Sequence, residues 1–369
     1  MTFNSIISSK KKLIFFLNKK KFKRIFVLSG TKSYIFSGAK KTLGPILKKK
    51  ETYYYYKKSS FPRFKELINI IKKIDKFNPD LVFAIGGGSV IDYAKLANTH
   101  VYSKKLKKNL INSKTKIKKK NYLLTVPTTA GSGAEVTSGA VIYINKIKYS
   151  VENKLLIPDK FFLISEFVSK LPKKNKASSG FDAIAQSIES LISIRSTNAS
   201  VKFAIKSLKY TLSSFLDSLK HSNHNSIKKM CIGANLAGKA INISKTTASH
   251  AISYPFTSHF GINHGHAVSL TLNKFLKFNY LNANKSVCNF NLKTRYKIIF
   301  DTAGVKDINE LDNFLTNIKK KGGLTELPKL KFDLKKEYPR IVKGVNEKRL
   351  SNNPIKLSKM DIKKILFNF

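Results

Sequence analysis

Tryptophan is absent from the 369 residues, cysteine occurs twice and methionine three times. Two thiols, Cys231 and Cys288, permit one disulfide by count, but a chain so poor in cysteine reads more simply as a reduced, cytoplasmic protein than as a disulfide-stapled secreted one. Long apolar runs are missing too. Nothing approaches the roughly eighteen apolar residues of a membrane span. The N-terminal run Leu13–Leu17 is too short for a signal segment and is followed by more lysine. No membrane partner is expected. With 18 glycines and 10 prolines, the chain also lacks the composition of a disordered or low-complexity protein. No internal repeat is visible.

Acidic residues are the scarcest class relative to their opposite: 21 Asp and Glu stand against 70 Lys and Arg, a net charge of +49. A basic surface collects polyanions, so a nucleic-acid-binding protein is the reading from a different class. Such a protein concentrates charge on one element or tail and interleaves aromatics. Here lysine is spread from Lys10–Lys12 through Lys48–Lys50 and Lys118–Lys120 to Lys319–Lys321, and the run Tyr53–Tyr56 reads as a strand edge. We therefore expect no specific nucleic-acid partner and take the charge as compositional.

What the chain does contain is a change of pattern near residues 160–175. Before it, short apolar runs (Arg24–Ser29, Thr52–Tyr56, Asp80–Ile85, Tyr122–Val126) alternate with helical segments (Phe64–Phe77, Val90–Ala97), the signature of a parallel sheet covered by helices. After it the periodicity is helical: Phe181–Ile194, Val201–Leu219, Ser226–Ile243, Ala267–Phe278 and Lys293–Ala303. Two domains follow, residues 1–168 and 169–369.

Two loops in the first half carry chemistry. Gly86-Gly87-Gly88-Ser89 follows a strand and opens a helix. Glycines let backbone approach a pyrophosphate, the helix N-terminus offers free N–H groups, and Ser89 is positioned to cap it. The spacing is not the usual G-x-G-x-x-G, and a ligand-free turn is the plain alternative. Val126–Thr137 (VPTTAGSGAEVT) brings hydroxyls and glycines after a strand, as a nucleotide groove or an ordinary polar loop would.

The second half holds potential metal donors. Asp182 and Gln186 are four apart on one helix face, with Glu189 a turn further. His250, His259, His264 and His266 are four of the seven histidines, within seventeen positions. Spacing leaves open which of them bind. Pro255 is expected to end the helix that carries His250. A helix is expected from Ala267, just after His264 and His266.

Together, AIGGGSVIDYAK (Ala84–Lys95), VPTTAGSGAEVTSGAV (Val126–Val141), SGFDAIAQSIES (Ser179–Ser190) and SHAISYPFTSHFGINHGHAVSL (Ser249–Leu270) resemble the iron-containing (group III) alcohol dehydrogenases over most of the chain. The resemblance implies the dehydroquinate synthase-like/iron alcohol dehydrogenase fold: an α/β N-terminal dinucleotide-binding domain with a parallel sheet, then an all-α metal-binding domain. It implies a divalent metal, Fe²⁺ first and Zn²⁺ or Mn²⁺ next, held by Asp182, Gln186, His250 and His264. Gln186 departs from the family's usual His. Gly86, Gly87, Gly88, Ser89, Thr128, Thr129, Ser132 and Lys148 match cofactor-binding positions. Tyr254 stands where many members carry another His, so Tyr254 or His266 is the expected proton relay. Tyr56 and Lys57 stand where NAD-preferring members carry Asp, which implies that NADPH is tolerated beside NADH.

The stretch Ala234–Thr247, HGHAVSL and the tail VNEKRLSNNPIKLS are similar to one branch, the phosphonoacetaldehyde reductases. The activity implied is NAD(P)H-dependent reduction of a small-molecule aldehyde to a primary alcohol, phosphonoacetaldehyde to 2-hydroxyethylphosphonate in that branch. Short-chain alcohol or lactaldehyde dehydrogenases, glycerol dehydrogenases and dehydroquinate synthases share the architecture and are the alternatives. A homodimer or higher homo-oligomer is expected.

Overall fold

The computed structural model describes residues 6–112, 117–220, 223–330 and 332–368. The chain divides into two compact units: Met1–Pro172 with His221–Ile232, and Lys173–Lys220 with Gly233–Phe369.

The first unit is built on a parallel sheet of order β2-β1-β3-β4-β7, with β1 at Arg24–Gly30, β2 at Glu51–Lys57, β3 at Leu81–Gly86, β4 at Tyr122–Pro127 and β7 at Lys160–Phe161. β3 is buried at every position, and its side chains alternate between two cores. Val82 and Ala84 join Phe26, Leu28 and the apolar stripe Leu67, Ile70, Ile71 and Ile74 of helix Phe64–Phe77. Leu81, Phe83 and Ile85 join Ile25, Val27 and, from helix Lys10–Lys19, Leu13 and Leu17. Helices on both faces follow from that alternation. β1 lies between β2 and β3, so the strand order reverses there. The crevice beyond the C-terminal ends of β1 and β3 is where such sheets hold ligands, and Gly86 ends β3. A hairpin, β5 at Gly139–Ile144 and β6 at Ile147–Glu152, turns through Asn145 and Lys146, both at positive φ.

The second unit is helical. Its central helix, Lys173–Ile192, is buried almost continuously from Lys176 onward. It packs against helices Asn198–Leu212, His264–Ser269, Leu292–Ala303 and Ile308–Gly322. A helix surrounded in this way has no solvated face, so its polar residues Asp182, Gln186 and Glu189 are enclosed.

Several expectations are corrected. Helix Ala248–Phe260 runs through Pro255. Proline removes the N–H that would bond the Ala251 carbonyl, and that carbonyl instead accepts from Asn346 N–H at 3.3 Å. The helix expected from Ala267 begins at His264, stops at Ser269 and restarts as Leu272–Leu281. The segment Val201–Leu219 is likewise split, into Asn198–Leu212 and a short Phe215–Ser218. Ser89 does not cap its helix: Gly87 holds the cap position, without a side-chain bond.

Candidate metal centre and glycine cradle

In the second unit, helix Lys173–Ile192 supplies Asp182 and Gln186, helix Ala248–Phe260 supplies His250 and helix His264–Ser269 supplies His264. Donor atoms of Asp182, His250 and His264 lie within 4.8 Å of one another. Asp182 Oδ1 is 3.1 Å from His250 Nε2 and 4.0 Å from His264 Nε2. Gln186 Nε2 donates to Asp182 Oδ2 at 3.1 Å. That leaves Gln186 Oε1 buried and without a hydrogen-bond partner. A buried orphan oxygen is costly unless something absent from the protein satisfies it. A divalent cation held by one carboxylate, one amide oxygen and two imidazoles would do so, and the donor set suits Fe²⁺, Mn²⁺ or Zn²⁺.

The ring of His250 is fixed from behind. Its Nδ1 is hydrogen-bonded to Glu189 Oε2, while Glu189 Oε1 accepts from Thr247 Oγ1 at 2.8 Å and from the His250 N–H at 3.2 Å. The carboxylate thereby sets the ring orientation and presents Nε2 to the cluster. Burial alone would lower the basicity of His250, but the Glu189 and Asp182 carboxylates outweigh it and raise its pKa to about 9. Burial would likewise raise Asp182; hydrogen bonding from His250 and the charge of His264 prevail and hold it below the usual range. Gly265 lets two helices approach. A Cβ there would lie 1.9 Å from the Ser178 carbonyl oxygen and 2.8 Å from Asp182 Cβ, so only glycine brings His264 this close to Asp182.

Of the two relay candidates, Tyr254 is beside the cluster, its ring stacked on that of His264 at 5.6 Å and 20°. Burial raises the Tyr254 pKa to about 12, with the Arg349 guanidinium opposing and Glu189 assisting. His266 is engaged elsewhere. Its Nε2 lies 2.8 Å from the Thr325 carbonyl oxygen and its N–H donates to Ser178 Oγ at 3.0 Å. Burial, more than any other cause, lowers its pKa. Sequence reasoning gave no role to Glu189 as the holder of His250, nor to Gly265. A carboxylate a helical turn past Gln186 was the only available signal for the former.

In the first unit, the two loops pack together. A Cβ on Gly87 would sit 3.2 Å from Thr129 Cγ2, and one on Gly88 would sit 2.6 Å from Ser132 Oγ. Thr128 N–H bonds the Gly86 carbonyl at 3.1 Å, and Thr128 Oγ1 is buried without a partner. The result is a cradle of backbone at the start of helix Gly88–Ala97, lined by hydroxyls and suited to a phosphate. Ser89 lies in the first turn of that helix. Lys148 is on β6, paired with Tyr143, and its charge acts on Asp92 of the same helix.

A family model described as iron-containing alcohol dehydrogenase matches residues 8–164, and one described as Fe-containing alcohol dehydrogenase family, C-terminal, matches residues 176–368. The chain belongs to the iron-containing alcohol dehydrogenase family. It is 30% identical over 224 residues to the 4-hydroxybutyrate dehydrogenase of Clostridium kluyveri, covering 59% of this chain and 60% of that one. It is 28% identical over 222 residues to the phosphonoacetaldehyde reductase of Streptomyces viridochromogenes, covering 57% and 56%. The match thus spans somewhat over half the length of these curated relatives. Its fold is that of the sulfoacetaldehyde reductase of Bifidobacterium kashiwanohense, solved in complex with NAD+, with a TM-score of 0.84 at 23% identity over 98% of this chain and 94% of that one.

Proposed function

We propose that this chain reduces a short aldehyde bearing an anionic group to the corresponding primary alcohol, with NAD(P)H and a divalent metal, and that phosphonoacetaldehyde is the first candidate. The observation that carries the reading is the Asp182–His250–His264 cluster, buried at Asp182 and His250 and partly open at His264, with the orphan Gln186 Oε1 beside it. Relatives named for 4-hydroxybutyrate, phosphonoacetaldehyde and sulfoacetaldehyde favour an anion-tailed substrate.

Asp182, Gln186, His250 and His264 would hold the metal, and Glu189 would keep the His250 ring in place. Gly86–Ser89 would take the pyrophosphate, with Thr128, Thr129, Ser132 and Lys148 along the cofactor. When bound, the metal polarises the aldehyde oxygen and the nicotinamide supplies hydride. Tyr254, kept protonated by burial and hydrogen-bonded to Thr246, would give its hydroxyl proton to the nascent alkoxide and be reprotonated by way of the Thr246 hydroxyl. His266 is the poorer candidate because its Nε2 lies against the Thr325 carbonyl, whereas the Tyr254 ring is stacked on that of His264. β2 ends in Tyr56-Lys57, with no carboxylate at those two positions to repel a 2′-phosphate, so NADPH is accepted. The first unit serves as the dinucleotide domain and the second as the metal and substrate domain of a cytoplasmic homo-oligomer.

The test is NAD(P)H oxidation with phosphonoacetaldehyde, sulfoacetaldehyde, succinate semialdehyde and propanal, with and without added Fe²⁺. Metal-dependent turnover of at least one aldehyde is expected. Full activity after exhaustive chelation would contradict the reading.

A further inference from the structure

Helix Ala248–Phe260 begins in an exchanged way. Its N-cap residue is Thr247, whose side chain makes no cap bond. An N-cap threonine ordinarily accepts from the N–H of the second or third helical residue, and the third residue here is His250. That N–H goes instead to Glu189 Oε1 at 3.2 Å, and the Thr247 hydroxyl donates to the same oxygen at 2.8 Å. Glu189 belongs to helix Lys173–Ile192, so a carboxylate from one donor-bearing helix caps the other. Its Oε2 is left for His250 Nδ1. Glu189, Thr247 and His250 are all buried. Turning this carboxylate would break a bond that no water replaces, so the direction it gives the imidazole depends on Thr247.

Packing is the plain alternative, yet the junction between the two helices is tied without Thr247. Ser244 Oγ donates to Ser190 Oγ at 2.7 Å, and Ser193 Oγ donates to the Ser244 carbonyl at 2.7 Å. Asn352 spans the same two stretches: its carbonyl accepts from Ile194 N–H at 3.1 Å and its Nδ2 donates to the Thr246 carbonyl at 3.1 Å. These bonds hold the end of helix Lys173–Ile192 to the approach to His250 whatever stands at position 247. What the Thr247 hydroxyl adds is a second donor on Glu189 Oε1, and with it a fixed carboxylate plane. Partners of this outer kind orient a ligating imidazole and fix which of its nitrogens is free.

Resting on the metal site of the reading above, we propose that Thr247 is a positioning residue of that site: its hydroxyl locks the Glu189 carboxylate, which in turn holds the His250 ring with Nε2 facing Asp182. Thr247 touches neither ion nor substrate and acts only through Glu189 and His250. Its contribution is therefore read in how tightly an ion is held.

Competition against a chromogenic chelator gives the Zn²⁺ and Mn²⁺ dissociation constants of the full chain and its variants, with thermal melting of the metal-free proteins alongside. Thr247→Val keeps the branched shape and removes the hydroxyl. It should weaken both ions about 10- to 100-fold, the effect of losing a partner just outside the ligands. Thr247→Ser keeps the hydroxyl and should recover most of that affinity. Ser193→Ala cuts one of the independent ties: it should lower the melting temperature of the metal-free protein and leave both dissociation constants unchanged. Equal affinity in Thr247→Val and wild type overturns the assignment. So does a Thr247→Ser that binds as weakly as Thr247→Val, or a Ser193→Ala that loses as much affinity, since either makes the effect one of packing. A wild type that binds neither ion defeats the metal reading together with this one. If Thr247→Val does not fold, Thr247→Ala takes its place under the same expectations.

Discussion

In the proposed ligand set, Gln186 is the donor that limits how tightly an ion is held. An amide oxygen is a weaker donor than imidazole, and the loss is greatest for the metals that favour nitrogen. Gln186→His should therefore tighten Zn²⁺ more than Mn²⁺, by roughly tenfold or more on the scale that single ligand-sphere changes produce. Competition against a chromogenic chelator checks this. Asp182→Ala and His264→Ala should abolish metal binding and turnover while leaving the far-ultraviolet circular dichroism of the fold. Gly265→Ala should do both kinds of damage. Its new Cβ meets main-chain oxygen at 1.9 Å, so helix separation must grow, at a cost of about 1–3 kcal/mol or more and with loss of the ion. Equal metal affinity in Gly265→Ala and wild type would refute the close-approach argument. Residue types and their crowding marked a pool of candidate donors in the sequence, and the family resemblance, rather than spacing, drew Asp182, Gln186, His250 and His264 from it. The role of Gly265 was not legible, and that of Glu189 was marked only by its place a turn past Gln186, because both roles exist only once a second helix arrives.

Elements with a strong period were readable to within a residue or so: helix Phe64–Phe77 and strands β1, β3 and β4 repay the pattern directly. The failures are places where tertiary bonds replace local ones. Helix Ala248–Phe260 survives Pro255 because Asn346, distant in sequence, supplies the missing donor. The β5–β6 hairpin turns through Asn-Lys rather than Asn-Gly, a weaker signal for the same geometry. Helix Gly88–Ala97 shows a cost that its sequence conceals. Lys95 is fully buried, with Nζ donating to the carbonyls of Thr137 and Gly139 at 2.8 and 2.9 Å. Burial, opposed by Asp92 and Glu135, lowers its pKa to about 8, and burial, opposed by Lys95, raises Asp92 to about 6. A lysine depressed on folding binds its proton more tightly when unfolded, so stability is gained as pH rises from about 8 towards the unfolded value and lost on falling through 8. The raised carboxyl acts oppositely at low pH: its contribution is full below the unfolded value and lost as pH rises through about 6. Urea midpoints measured across pH 8–10 should rise more in the wild type than in Lys95→Met. Parallel slopes would mean that Lys95 does not titrate in that window.

For the whole molecule, the charge of +49 has a kinetic consequence even if no partner selected it. A strongly positive surface attracts anionic substrates over about 10 Å at 0.1 M salt. The value of kcat/KM for an anionic aldehyde should therefore fall as NaCl is raised from 20 to about 300 mM, while that for propanal changes little. Parallel curves would show that the field is idle. The two-part organisation was legible because the hydrophobic period changes once along the chain. The return of His221–Ile232 to the first unit was not, since nothing local marks that crossing.

All four candidate metal donors belong to the second unit. An ion bound there acts as a removable staple on one half of the chain. At a hundredfold excess over its dissociation constant it adds about 2.7 kcal/mol to whatever must unfold to release it. Calorimetry with and without metal would then move one heat-absorption peak and leave its neighbour in place wherever the halves melt separately, so a bound ion would also report how independently the protein's two parts hold together.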